Sequence, residues 1–146
     1  MAWLMNESDW LTLLGEMWSS FDNVGDNYDA MHESPFGNRL HDQCPIVQMM
    51  TYAELAVYKE LPQTFKIYRG CHGDNKDGFS WSLERQVAKT FPLMEKYQME
   101  GQPLLITAMV KKEKVAAVKL DRGEVEIITY CPKHLHTLRI KQHLAI

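Results

Sequence analysis

The sequence lacks long hydrophobic runs and has few cysteines. No stretch approaches the roughly 18–20 consecutive apolar residues that a membrane-spanning helix requires. No basic segment precedes the first acidic residue, Glu7, so we expect no signal peptide. The three cysteines are odd in number and widely spaced, which favours reduced thiols over a disulfide framework. Together these absences predict a cytoplasmic protein that makes no contact with membranes.

The common nucleotide-binding motifs are also missing. Gly70, Gly73 and Gly78 do not form the G-x-G-x-x-G pattern of a Rossmann fold, and there is no Walker A sequence. The net charge of −3 and the pI near 6.1 argue against a general nucleic-acid-binding protein.

What is present is the composition of one globular domain, which we expect to span residues 1–146. Hydrophobic residues make up 45% and charged residues 24% of the chain, and no repeat or linker interrupts it. Residues 1–60 contain ten acidic and two basic side chains, whereas residues 61–146 contain nine acidic and fourteen basic ones. The second part is therefore suited to an anionic ligand, and the acidic first part to a basic partner.

The apolar pattern predicts helices in residues 1–62 and mainly strands in residues 63–146. Expected helices begin at Asn6 or Ser8 and end near Phe21, then cover 26–33 and, after Pro45, 46–60. Expected strands are 65–69, 79–83, 104–110, 115–120, 124–130 and about 137–143, with a loop over 70–78 and a short helix over 84–91. Helices followed by an antiparallel meander predict an α+β fold.

Three short motifs stand at the ends of predicted strands: Tyr68-Arg69-Gly70, Ser80-Trp81-Ser82 and Glu124-Val125-Glu126. Each motif alone is typical of ordinary structure. An arginine at a strand end is usually a surface ion-pair partner, Ser-Trp-Ser is a common strand with a buried tryptophan, and two alternating glutamates usually face water. The ordered set of three is much less common than any one of them.

In that order the motifs resemble the R-S-E signature of the ADP-ribosyltransferase family. The resemblance covers about residues 65–130 and includes the spacing from Ser80 to Ala88 and Phe91. It is closest to small bacterial and phage members that carry a tryptophan inside the Ser-x-Ser motif. The resemblance implies N-terminal helices packed on a β-rich half, with NAD bound in a cleft between sheets.

The resemblance also implies an activity: transfer of ADP-ribose from NAD to an arginine of a target protein, with release of nicotinamide. Glu126 would stabilise the oxocarbenium-like transition state through the ribose 2′-hydroxyl, as carboxylates do in glycoside hydrolysis. Glu124 would orient the acceptor guanidinium and take its proton. In this family Glu-x-Glu, rather than Gln-x-Glu, accompanies arginine modification.

The other motif residues would bind NAD, which is a substrate here, and no metal is expected. Arg69, with Tyr68 and Gly70 beside it, would hold a phosphate or a ribose edge, since the guanidinium is planar and permanently charged. Ser80 would hold the catalytic carboxylate, and Ser82 either does the same or only stabilises its strand. Phe79 or Trp81 would stack on nicotinamide, with one of the two left for the core.

Several alternatives stay open. His41-x-x-Cys44 and Cys131-x-x-His134, with His136 nearby, have zinc-ligand spacing, although such pairs often arise by chance. A Cys71 nucleophile beside His72 is disfavoured because neighbours on a strand point apart. A catalytically silent binding or inhibitor module of the same fold, and a toxin that only hydrolyses NAD, are the functional alternatives. A nucleic-acid acceptor is also compatible with the sequence.

Overall fold

The computed structural model describes residues 6–18, 31, 33–40, 43–72, 78–93, 102–121, 123–130 and 132–140. The helices are α1 Glu7–Met17, α2 Pro35–Leu40, α3 Tyr52–Glu60 and α4 Arg85–Thr90. The strands are β1 Thr64–His72, β2 Ser80–Ser82, β3 Pro103–Lys111, β4 Val115–Lys119, β5 Glu126–Thr129 and β6 Lys133–Arg139. Single 3₁₀ turns cover Val47–Met49, Phe91–Leu93 and Lys112–Lys114. The described part is thus a mixed helix and sheet structure, and none of its helices has the length and apolarity to cross a membrane.

Helix α1 begins where its capping residue predicts. The Asn6 side chain accepts a hydrogen bond from the Asp9 backbone N–H at 2.8 Å, which satisfies one of the free donors of the first turn. The helix then buries Leu11 and Leu14 and ends at Trp18. The sequence predicts that this helix continues to Phe21, but the three residues after Trp18 lie outside the described residues. Most of the helix expected over 26–33 lies outside them as well.

The prediction of a single helix over 46–60 is wrong. Val47–Met49 forms one 3₁₀ turn, Met50 is extended, and a new helix begins after Thr51. Thr51 and Glu54 form a capping box, in which each side chain bonds the other's backbone N–H. This cap starts α3 at Tyr52, six residues later than the start predicted after Pro45.

The strands form one antiparallel sheet in the order β4-β5-β2-β1-β3-β6. The predicted meander is therefore wrong, because β3 pairs with β1 and β6, and β4 pairs with β5 instead of β3. The last strand, Lys133–Arg139, begins four residues earlier than predicted. β1 also continues through Gly70 to His72, which were expected in a loop.

This sheet folds over on itself. Lys111 ends β3 and Val115 begins β4, so the chain between them reaches at most about 14 Å. In a flat sheet β3 and β4 would lie four strand spacings apart, about 19 Å. Trp81 on β2 also meets His134 on β6, with 6.0 Å between ring centroids, although β1 and β3 separate those strands. The two halves of the sheet therefore enclose a core on one face, and β1 joins β2 through the single register pair Tyr68–Ser82.

We call the enclosed face, marked by Ile67 and Ile127, the inner face, and the opposite one, marked by Tyr68 and Glu126, the outer face. The inner core includes Ile67, Trp81, Ala108, Val118 and Ile127. On the outer face, α1 and α2 cover β4 and β5 with a second core that includes Leu14, Trp18, Phe36 and Ile128. Helix α4 covers β1 and β3 with a smaller third core around Ala88 and Leu105. Of the motif residues, Tyr68, Ser80, Ser82 and Glu126 lie on the outer face between these two covers, whereas Trp81 belongs to the inner core. In place of a cleft between two sheets, the described residues form one sheet with two separate covers on its outer face.

Candidate active site

A row of polar residues crosses the outer face where the two covers meet. The strand register places Tyr68 opposite Ser82, Ser82 opposite Glu126, and Glu126 opposite Lys119. Residues opposite one another in antiparallel strands share a face, with Cα atoms about 4.5–5.5 Å apart. The register therefore brings motif residues from β1, β2 and β5 into one line. Sequence order alone does not specify this juxtaposition.

The Glu126 carboxylate is buried and held by two donors. Ser80 Oγ donates a short hydrogen bond to its Oε2 atom. Trp18 Nε1 donates a second bond to the same oxygen at 2.9 Å. Only 4% of Glu126 is exposed, so both bonds lie in a poorly solvated environment where charge-assisted hydrogen bonds are strong.

Glu124 lies next to this carboxylate, in the bend that leads into β5, and it is more exposed than Glu126. Ser82 Oγ donates to Glu124 Oε2 at 3.5 Å, a long hydrogen bond, and accepts one from the Glu84 backbone N–H at 3.0 Å. The two serines of β2 therefore contact the two glutamates one to one. The Ser-x-Ser and Glu-x-Glu motifs form a single cluster.

Arg69 reaches the same strand through its guanidinium. Its Nη1 atom donates to the Ser80 carbonyl oxygen at 2.9 Å. This bond joins β1 to β2 beyond the Tyr68–Ser82 pair, the only register pair those strands share. A Cβ atom on Gly78 would overlap the guanidinium, so that glycine lets the arginine lie flat against the backbone. Arg69 thus has a structural role that the sequence does not reveal.

The aromatic residues around Ser80 are placed differently from expectation. Phe79 is 1% exposed and packs edge-on against Phe36, whereas Trp81 is 4% exposed in the inner core. Both rings are in hydrophobic cores, so neither one is presented on the surface for a nicotinamide ring to stack on. Gly70 likewise has a packing role, since a Cβ there would overlap the Ala88 carbonyl oxygen of α4.

Two residues next to the site were not anticipated: Lys119 and Glu54. Lys119 lies in the register row, is 3% exposed, and donates to Glu54 Oε1 and to the Met49 carbonyl oxygen, each at 3.0 Å. Burial by itself raises the pKa of Glu54, but hydrogen bonds from Thr51, Leu120 and Lys119 outweigh it and hold this pKa below its ordinary value. The available sequence signal was the capping-box pattern Thr51-x-x-Glu54 and a lysine at the end of an apolar strand.

Trp18 is the third unanticipated residue. The sequence places Trp18 within the first predicted helix, which ends near Phe21, and assigns its ring no role in the site. Its Nε1 atom instead reaches Glu126, 108 positions further along the chain. Nothing in the local sequence distinguishes it from the other tryptophan of that helix, Trp10.

The zinc alternative rests on two pairs, of which His41 and Cys131 lie outside the described residues. Among the described residues, no three His, Cys, Asp or Glu side chains are grouped as metal ligands. Burial raises the pKa of the Cys44 thiol to about 11, and its Sγ donates to the Leu40 carbonyl oxygen at 3.3 Å.

No protein-family model matches the chain, and comparisons with curated proteins and with solved structures gave no significant match.

Proposed function

We propose that this protein is a mono-ADP-ribosyltransferase that moves ADP-ribose from NAD to an arginine side chain. The observation that carries this proposal is the pairing of the two motifs, in which Ser80 holds Glu126 and Ser82 contacts Glu124. A carboxylate held in one rotamer by buried donors is suited to stabilise a positive charge that develops in a transition state.

In the proposed reaction the nicotinamide–ribose bond breaks, and its electron pair leaves with nicotinamide. Glu126 stabilises the positive charge that develops on the ribose. A guanidinium nitrogen of the acceptor then forms the new bond to the ribose carbon and loses a proton. A free guanidinium has a pKa above about 12, so a neighbouring carboxylate is needed to accept that proton during attack. The more exposed Glu124 is suited to this role.

The acceptor we propose is an arginine of a protein, and the site of action is the cytoplasm of the cell that contains the enzyme. The Glu-x-Glu arrangement supports an arginine acceptor through the family resemblance. The acidic residues 1–60 support a basic target, because opposite charges attract at long range.

The test uses NAD labelled on its adenosine part, with agmatine as a small guanidinium acceptor, and follows nicotinamide release and label transfer separately. We expect Glu126→Gln to lower both activities by about 100- to 1,000-fold, because the lost charge acts on the bond-breaking step. Glu124→Gln should lower transfer by at least about 100-fold and spare much of the hydrolysis, because water needs less activation than a guanidinium. The exposed Glu113→Gln, which removes the same charge far from the site, is the matched control and should change neither activity.

Two results would contradict the proposal in different ways. Nicotinamide release without labelling of agmatine or of any protein in a lysate would make the protein an NAD glycohydrolase. Absence of both activities in the folded wild-type protein, with no NAD binding by calorimetry, would favour a silent binding module. Equal loss of both activities in the two glutamate variants would remove the separate role of Glu124.

A further inference from the structure

Helix α1 contributes one polar atom to the proposed active site, the indole nitrogen of Trp18. We propose that Trp18 is a positioning residue that orients the Glu126 carboxylate, an inference that rests on the function proposed above. The side chain is 2% exposed and its Nε1 lies 2.9 Å from Glu126 Oε2. It follows α1 directly, within the acidic half of the chain and outside the three motifs.

The two donors to Glu126 act on the same atom. Ser80 and Trp18 both bond Oε2, and no described residue donates a hydrogen bond to Oε1. Two bonds from different elements, one from β2 and one from the end of α1, fix the plane of the carboxylate as well as its position. Oε1 is thereby left as the oxygen able to meet a substrate hydroxyl.

An indole nitrogen is a donor only, which distinguishes it from the serine hydroxyl. A hydroxyl can turn and accept a proton from a neutral carboxylic acid, whereas an indole N–H interacts favourably only with an acceptor oxygen. Trp18 therefore bonds Glu126 only through an oxygen that accepts, which restricts the orientations that the carboxylate can take. Its ring packs against Phe36, with centroids 5.6 Å apart, so the donor is held in place by the second core, on the outer face.

Among the described residues, the other charged groups near Glu126 have bonds of their own. Lys119 lies opposite on β4 and bonds Glu54 of α3, so that pair is internally balanced. Glu124 lies on the same chain segment, and the Arg69 guanidinium bonds the Ser80 carbonyl oxygen from β1. A Trp18 variant leaves all of these groups in place, so a fall in kcat would report the lost indole donor.

The first test compares Trp18→Phe with Trp10→Phe, which removes an indole from the same helix where the ring is partly buried at the edge of the same core. For Trp18→Phe we expect kcat for nicotinamide release to fall about 10- to 100-fold, with a much smaller change in the KM for NAD. Trp10→Phe should leave both quantities unchanged.

The second test needs no change at Trp18 and remains valid if Trp18→Phe fails to fold. In ¹H–¹⁵N spectra, the Trp18 indole resonance should differ between the wild-type protein and Glu126→Gln, because the acceptor of its hydrogen bond has changed. The Trp10 resonance should be the same in both proteins.

The outcomes separate this inference from the proposed function. An active wild-type enzyme in which Trp18→Phe matches Trp10→Phe in kcat and in the KM for NAD would overturn the role of Trp18 and leave the activity intact. A Trp18 resonance that is the same in the wild-type protein and in Glu126→Gln would overturn it as well. A wild-type protein that never turns over NAD would overturn both the proposed function and the role of Trp18, even if the Trp18 resonance changes in Glu126→Gln.

Discussion

Replacing Glu54 tests how the sheet next to the site is stabilised. Glu54 is 2% exposed and receives three hydrogen bonds, from Thr51 N at 2.9 Å, Leu120 N at 2.9 Å and Lys119 Nζ at 3.0 Å. Glu54→Gln keeps the size of the side chain but leaves the buried Lys119 ammonium without its carboxylate. Asp121, 4.0 Å away and 39% exposed, is a poor substitute. Breaking one side of a buried ion pair costs about 3–5 kcal/mol, a large part of a total stability of about 5–15 kcal/mol.

The assay is urea unfolding followed by tryptophan fluorescence, with Lys119→Met and the double variant measured alongside. We expect the double variant to be more stable than the sum of the single losses predicts, because neither charge is then left unpaired. The pKa of Glu54 is lower in the folded state than in the unfolded one. Its contribution is therefore complete above the unfolded pKa and is lost as the pH falls through the folded one. Wild-type stability should thus fall more steeply below about pH 4.5 than that of Glu54→Gln. A cost under about 1 kcal/mol, as for exposed ion pairs, would refute this reasoning.

Two further substitutions test other contacts of the site. Arg69→Lys should weaken NAD binding in calorimetric titration by about 10- to 100-fold while the protein stays folded, because lysine lacks the planar fork. An unchanged affinity for NAD would leave Arg69 with only a structural role, the hydrogen bond from β1 to the Ser80 carbonyl oxygen. Gly70→Ala should lower the free energy of unfolding by about 1–3 kcal/mol, because its Cβ would push α4 away from β1. An unchanged unfolding midpoint would show that α4 shifts at no cost.

The sequence by itself determined the local elements. The Asn6 cap specifies where α1 begins, and the helical apolar spacing included Leu14, which is buried. The burial of Leu11, and the exposure of Leu13 and Met17, were not predicted. Runs of apolar and β-branched residues located all six strands, most to within a few residues, because pleated backbone favours those side chains wherever it occurs. The three motifs were likewise visible, since their order along the chain is a property of the sequence.

The tertiary structure decided what depends on contacts between distant residues. A meander and the observed order β4-β5-β2-β1-β3-β6 require the same local strands, and only long-range packing distinguishes them. The sequence assigns one of Phe79 and Trp81 to the core and the other to nicotinamide, but the sheet is covered on both faces near β2, so both are buried. The indole of Trp18 meets Glu126 for the same reason: α1 is a cover of that sheet, and its contacts are set by which strands lie beneath it.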